Sequence, residues 1–170
     1  VESTVIDCTV SPTCVLRPGG VTLEMLRGIE PETYIDPAVM KKPEGNLKPK
    51  SPGMKYRHYA PKAPVRIVQG DIKKTVAKIN EIVQNYIDEN KKAGIIATDE
   101  TKHLYSNGIV VSLGSRNNME DITRNLFETL RSFDDKDVSI ILSESFEEKG
   151  VGIAVMNRLK KAAGFDILKV

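Results

Sequence analysis

Tryptophan is missing from this chain, and its two cysteines and two histidines are too few and too scattered to assemble a zinc or iron–sulfur centre. Cys8 and Cys14 read instead as free thiols of a reducing compartment, which predicts a cytoplasmic protein. No apolar run approaches the roughly 18 residues of a membrane span, and the opening residues lack the form of a signal peptide, so no membrane partner is expected. Nor does one sign of charge dominate: 25 Lys and Arg face 23 Asp and Glu, a net +2. No Ser-His-Asp order can be put together either. The 170 residues suffice for one good core, or for one domain and a piece of another.

What charge there is lies in one place. Met40 to Lys62 carries seven Lys or Arg and one acid, a net +6 that leaves −4 for the rest of the chain. This concentration argues for a local anion site over a general nucleic-acid surface. Within it stands Ser51-Pro-Gly-Met-Lys-Tyr-Arg-His-Tyr-Ala-Pro61, where Lys55, Tyr56, Arg57, His58 and Tyr59 are consecutive. The flanking prolines fix φ and remove backbone donors, which denies the stretch a long helix or a sheet ladder. Two aromatic rings beside three cationic or titratable groups suit an anionic, planar ligand such as a nucleotide. The stretch reads as a lid.

The chain opens on Val1 rather than Met, directly in a strand-like pattern, which predicts a piece cut from something larger. Residues 1–27 read as the closing piece of a domain. A strand over Val1–Thr9 and another over Cys14–Arg17 are expected to pair across Val10-Ser-Pro-Thr13, with Thr22 capping a short helix that carries Leu23, Met25 and Leu26. Two strands and a helical turn bury no core alone. Residues 28–64 hold most of the nine prolines, among them Pro37, Pro43, Pro49, Pro52, Pro61 and Pro64, and read as a long extended linker.

From Val65 the pattern alternates short Ile/Val runs with amphipathic helices. Strands are predicted at 65–68, 94–97, 109–113 and 138–142, and helices at 71–92, 119–133 and 152–163. Asn118 with Asp121 makes a capping pair for the second of these helices. Continuous rather than alternating apolar strands point to a parallel sheet covered on both faces. The fold class is thus α/β, with residues 65–170 a small Rossmann-like, three-layer domain.

Outside the lid, chemistry is sparsely signalled. Ser3 reads most simply as a turn or strand-end hydroxyl and Arg17 as a solvated strand end. Gly150-Val-Gly152 before a helix invites a phosphate-binding reading, but the third glycine is missing and no strand directly precedes it, so a plain helix start is expected. His103 is taken for a solvated loop histidine, and Glu144, Glu147 and Glu148 for a solvated acidic loop face. No catalytic constellation and no metal site are expected.

Taken together, Val1-Glu-Ser-Thr-Val-Ile-Asp7, Leu16-Arg-Pro-Gly-Gly-Val-Thr-Leu-Glu24, the eleven residues of the lid and Gly150-Val-Gly-Ile-Ala-Val-Met-Asn-Arg-Leu159 closely resemble the two-domain threonylcarbamoyl-AMP synthases in order and spacing. That family joins a catalytic YrdC-like α/β domain, through a long linker, to a smaller Rossmann-like C-terminal domain. The resemblance implies a nucleotidyltransferase. It condenses L-threonine, bicarbonate and ATP, with Mg2+, into threonylcarbamoyl-AMP and pyrophosphate, and a downstream threonylcarbamoyl-transferase complex modifies tRNA with the product. It implies that Ser3 contacts threonine and that Arg17 faces the ATP phosphates. It further implies that Tyr56 and Tyr59, with Lys55, Arg57 and His58, close over the nucleotide and its pyrophosphate. Most of the catalytic half would precede Val1, so the chain by itself is expected to be inactive. Two other readings stand beside this one: residues 65–170 as a regulatory or interaction module without chemistry, and a direct tRNA-binding role.

Overall fold

The computed structural model describes residues 2–42 and 60–170. Its larger part is a five-stranded sheet made of β4 (Val65–Gln69), β5 (Ala93–Ala97), β6 (Ile109–Ser112), β7 (Ile140–Glu144) and β8 (Ile167–Lys169). The strands lie in the order β6-β5-β7-β4-β8, and every neighbouring pair is parallel. Helices α3 (Ile72–Asp88), α4 (Met119–Ser132) and α5 (Gly152–Ala162) connect them. This is the α/β architecture with a parallel sheet that the apolar runs imply; β7 begins two residues later than expected, and β8 carries too short a pattern to stand out.

Two cores lie on opposite faces of the sheet. On one, Val76, Ile79 and Val83 of α3 meet Val68, Ile95 and Leu142. On the other, Leu126 and Leu130 of α4 and Val155, Met156 and Leu159 of α5 meet Val65, Ile67, Ile96 and Ile141. The alternation along β4, β5 and β7 is that of strands covered on both faces. Asp71 caps α3 by accepting from the Lys73 and Lys74 amides. Asn118 caps α4 through the Glu120 and Asp121 amides and donates to the Asp121 carboxylate.

The smaller part is a three-stranded sheet. β1 (Val5–Asp7) pairs antiparallel with β2 (Cys14–Arg17), as the hairpin reading requires. β3 (Tyr34–Ile35) joins β2 in parallel. Thr22 caps α1 (Leu23–Arg27) by accepting from the Met25 amide at 3.3 Å. β3 and the short α2 (Pro37–Met40) fall in the stretch that the prolines mark as extended. There Pro37 occupies the first turn of α2, where no amide is needed, and the Asp36 side chain caps it.

The two parts meet at α5. All eleven residues of this helix are buried, including Asn157, Arg158, Lys160 and Lys161. Asn157, fully buried, donates to the Val39 carbonyl at 2.7 Å. Arg158 forms an ion pair with Glu2, and the Gly150 amide donates to Glu24 at 3.2 Å. An added Cβ at Gly152 would stand 2.1 Å from the Glu147 carbonyl, so only glycine allows the helix to start against that turn.

The acidic run before α5 is not a solvated face throughout. Glu144 is the last residue of β7 and fully buried. It accepts from Thr101, from Tyr105 at 2.7 Å, and from Arg116, its ion-pair partner. A sheet-end position places it inside the domain, which the local acidic pattern conceals. Glu148 pairs with Lys160 of α5 at 2.6 Å.

Candidate functional site

Ser3 and Arg17 come together. The β1–β2 pairing sets Val5 opposite Arg17, and the Arg17 guanidinium folds back over the residues just before β1. Its Nε donates to the Ser3 carbonyl at 3.0 Å and a terminal nitrogen donates to Ser3 Oγ at 3.1 Å. Gly19 makes this approach possible. A Cβ there would lie 2.3 Å from the Glu2 carbonyl and 2.5 Å from the Thr4 amide. Arg17-Pro-Gly19 therefore works as one unit: the strand end supplies the cation, and the glycine lets the serine-bearing segment lie against it. Ser3 is exposed and Arg17 half-buried, so the pair presents a hydroxyl and a fixed cation at an open face.

More positive charge gathers behind that face. The ammonium of Lys161 is held down to about 8 from its usual 10.5, by burial first and then by the charges of Arg158 and Arg17, with Glu2 acting in the opposite sense. Arg17 thus stands within electrostatic reach of α5, which the sequence reading of Arg17 as a solvated strand end does not anticipate. Arg158 and Lys161 both stand on a helix that is buried along its whole length, where cations are rare.

Gly150-Val-Gly152 forms the turn that opens α5. The Gly150 amide already donates to Glu24, and its φ of 54° marks a turn before the helix. The nearby cavity against Pro18, Thr22 and Ile153 measures ≈ 10 Å³, space for about one water and nothing larger. His103 lies in a short 3-10 turn and is exposed, as a loop histidine should be. Lys55, Tyr56, Arg57, His58 and Tyr59 lie outside the described residues. The segments on either side of them are fixed: Val39 by Asn157, and the Lys62 amide by the Asp134 carboxylate at 2.7 Å.

The small sheet bares much apolar surface. α1 has no buried residue although it carries Leu23, Met25 and Leu26. Ile6, Val10, Val21, Met25, Ile29 and Tyr34 are exposed, with Ile29 at 87%. These six side chains all belong to the smaller part of the chain, residues 2–42. Among the described residues the other exposed large apolar side chains are Ile72, Ile87 and Leu104.

Fold and site together define a two-part α/β protein: a doubly wound parallel-sheet domain whose last helix holds a small open sheet carrying a serine–arginine pair. The family model described as threonylcarbamoyl-AMP synthase, C-terminal domain, matches residues 21–164, and the chain belongs to that family. Threonylcarbamoyl-AMP synthase of Pyrococcus abyssi is 47% identical over 170 residues, all of this chain and 48% of that protein. The Bacillus subtilis synthase is 40% identical over 169 residues, covering 99% of this chain and 47% of the relative. The crystal structure of P. abyssi Sua5 complexed with L-threonine superimposes with a TM-score of 0.88 at 47% identity, over 99% of this chain and 47% of that one. The chain thus spans about half the length of the curated relatives it matches.

Proposed function

We propose that this chain is the C-terminal part of an L-threonylcarbamoyladenylate synthase, which condenses L-threonine, bicarbonate and ATP into threonylcarbamoyl-AMP and pyrophosphate for tRNA threonylcarbamoyladenosine formation. The observation that carries this is the Arg17–Ser3 pair, set on a strand end beside bare apolar surface in a chain of this family. In this reading the apolar face of the small sheet packs onto a preceding YrdC-like catalytic half, and residues 1–27 finish that domain. The parallel-sheet domain at 65–170 follows, beyond the linker at 28–64.

Displacement of pyrophosphate moves negative charge onto the leaving phosphates, and a cation already fixed there stabilises the transition state without reorganising. Arg17 is such a cation, because Ser3 holds its guanidinium by two hydrogen bonds. Ser3 keeps its hydroxyl oxygen next to that charge, where it can meet threonine. Tyr56 and Tyr59, with Lys55, Arg57 and His58, close over the nucleotide and keep water from the mixed anhydride. Anchoring of both flanks by Asn157 and Asp134 supports a tether that closes from the C-terminal domain. The described residues gather no three His, Cys, Asp or Glu side chains to hold a metal, so they do not by themselves fit a magnesium site.

No helix among the described residues is long and apolar enough to cross a membrane, and the cysteines are unpaired; we place the protein in the cytoplasm, upstream of a threonylcarbamoyl-transferase complex. The test is pyrophosphate release by the protein carrying its catalytic half. Release should need both L-threonine and bicarbonate, and release indifferent to omitting either removes the assignment. The 170-residue chain should release none. Salt-sensitive tRNA binding by the chain would support the direct RNA role instead.

A further inference from the structure

β4 and β7 are neighbours in the sheet, yet the chain leaves them toward opposite faces. After β4 it enters α3, on the face of Val68, Ile95 and Leu142. After β7 it enters α5, on the face of Ile67 and Ile141. Adjacent parallel strands that diverge in this way open a crevice outside their carboxyl ends, the place where doubly wound sheets bind ligands. A cavity of ≈ 380 Å³ lies there, lined by residues that follow four strands in turn: Gly70 to Thr75 after β4, Glu100 to Leu104 after β5, Arg116 after β6 and Ser145 after β7. That is the size of a small-molecule pocket.

Two buried polar atoms of this lining have no hydrogen-bond partner: Thr75 Oγ1, on a residue 1% exposed, and Arg116 Nε. An unpaired buried donor costs about 1–3 kcal/mol, and native structures keep few of them. The surroundings show that this is not loose packing. One terminal nitrogen of Arg116 donates to the Ser145 carbonyl at 2.9 Å, the other is ion-paired with Glu144, and the guanidinium lies 5.2 Å from the Phe146 ring centroid. With both terminal nitrogens engaged, Nε–H is the buried donor of the group that has no partner.

The chemistry of the missing partner can be narrowed. The first amides of α3, the usual seat for a phosphate, are taken by Asp71. The charges around the cavity cancel, with Lys73 and Arg116 against Glu100 and Glu144. The Glu100 carboxyl is held down to about 2, chiefly by the Ser115 hydroxyl and then by the Arg116 amide, so it stays anionic and repels a second anion. The remaining wall is apolar, with Ile72 and Leu104.

We propose that this crevice is a second ligand site, separate from the Ser3–Arg17 face, which takes an uncharged heterocycle of nucleoside size. A ring nitrogen or carbonyl accepts from Arg116 Nε–H, a neighbouring edge group pairs with Thr75 Oγ1, and the flat apolar body rests between Ile72 and Leu104. The site needs no catalytic half and stands or falls independently of the synthase reading.

The test is a residue-resolved NMR titration of the 170-residue chain with adenosine, guanosine, cytidine and uridine, and with AMP for comparison. At least one nucleoside should saturate with a Kd below about 1 mM and shift the amides of Gly70, Thr75 and Ser145. AMP should bind no tighter than adenosine. Thr75→Val should weaken binding by about tenfold, while Thr75→Ser, which keeps the hydroxyl, should retain it. Circular dichroism shows that each variant is folded. Absence of saturation by every nucleoside would overturn the proposal, as would equal binding by Thr75→Val, or tighter binding of AMP. In the first case ordered water is the partner of both atoms.

Discussion

Truncating Glu144 to alanine would leave Thr101, Tyr105 and Arg116 without the acceptor they share at the end of β7. Breaking a buried ion pair from one side is costly, and Glu144→Ala should destabilise the chain by roughly 3 kcal/mol, read from urea unfolding midpoints. Tyr105→Phe removes one hydrogen bond of the group and should cost about 1 kcal/mol. A second residue makes a pH prediction. Lys161, held down to about 8 from 10.5, carries its proton in both the folded and unfolded chain below pH 8, and the penalty for burying that charge is then present in full. Between about 8 and 10.5 the unfolded chain binds the extra proton, so stability rises with pH through that window. Unfolding measured across it should show wild type gaining on Lys161→Met; a constant difference would contradict the burial. Neither environment was legible in the residues themselves. Glu144 sits in an acidic run and Lys161 follows another lysine, so each has the neighbours of a surface residue. Burial of either is decided by sheet order, which no local pattern encodes.

α5 is the element on which both parts of the chain depend. Asn157→Ala would take the donor from the Val39 carbonyl. We expect a loss of about 1–3 kcal/mol, together with faster proteolysis at residues 37–42, because α2 would lose its buried anchor. Faster cleavage elsewhere, with 37–42 unaffected, would contradict that role. Elements with strong signals read cleanly from the sequence. The Asn118 cap, the apolar stripes of α3 and α4 and the Ile/Val runs of four strands give the α/β class directly. α2, β3 and β8 did not, for they are two to four residues long and take their order from packing rather than from periodicity. The hairpin of β1 and β2 was legible, whereas the reach of Arg17 back to Ser3 was not. It follows from the Gly19 contact, which only the folded chain reveals.

At the scale of the whole molecule, a well-packed parallel-sheet domain holds a small three-stranded part that leaves several large apolar side chains exposed. In the proposed function, a catalytic half closes onto this smaller part, and Arg17 at the end of β2 meets the substrate phosphates. Residues 55–59, proposed as a lid, lie outside the described residues, whereas Arg17 lies within them. The most direct measurement is therefore the turnover of the protein that includes the catalytic half, followed by pyrophosphate release with saturating ATP, L-threonine and bicarbonate, for wild type and Arg17→Ala. The account predicts a fall in kcat of about a hundredfold with the thermal transition retained. A variant that turns over at the wild-type rate would contradict it.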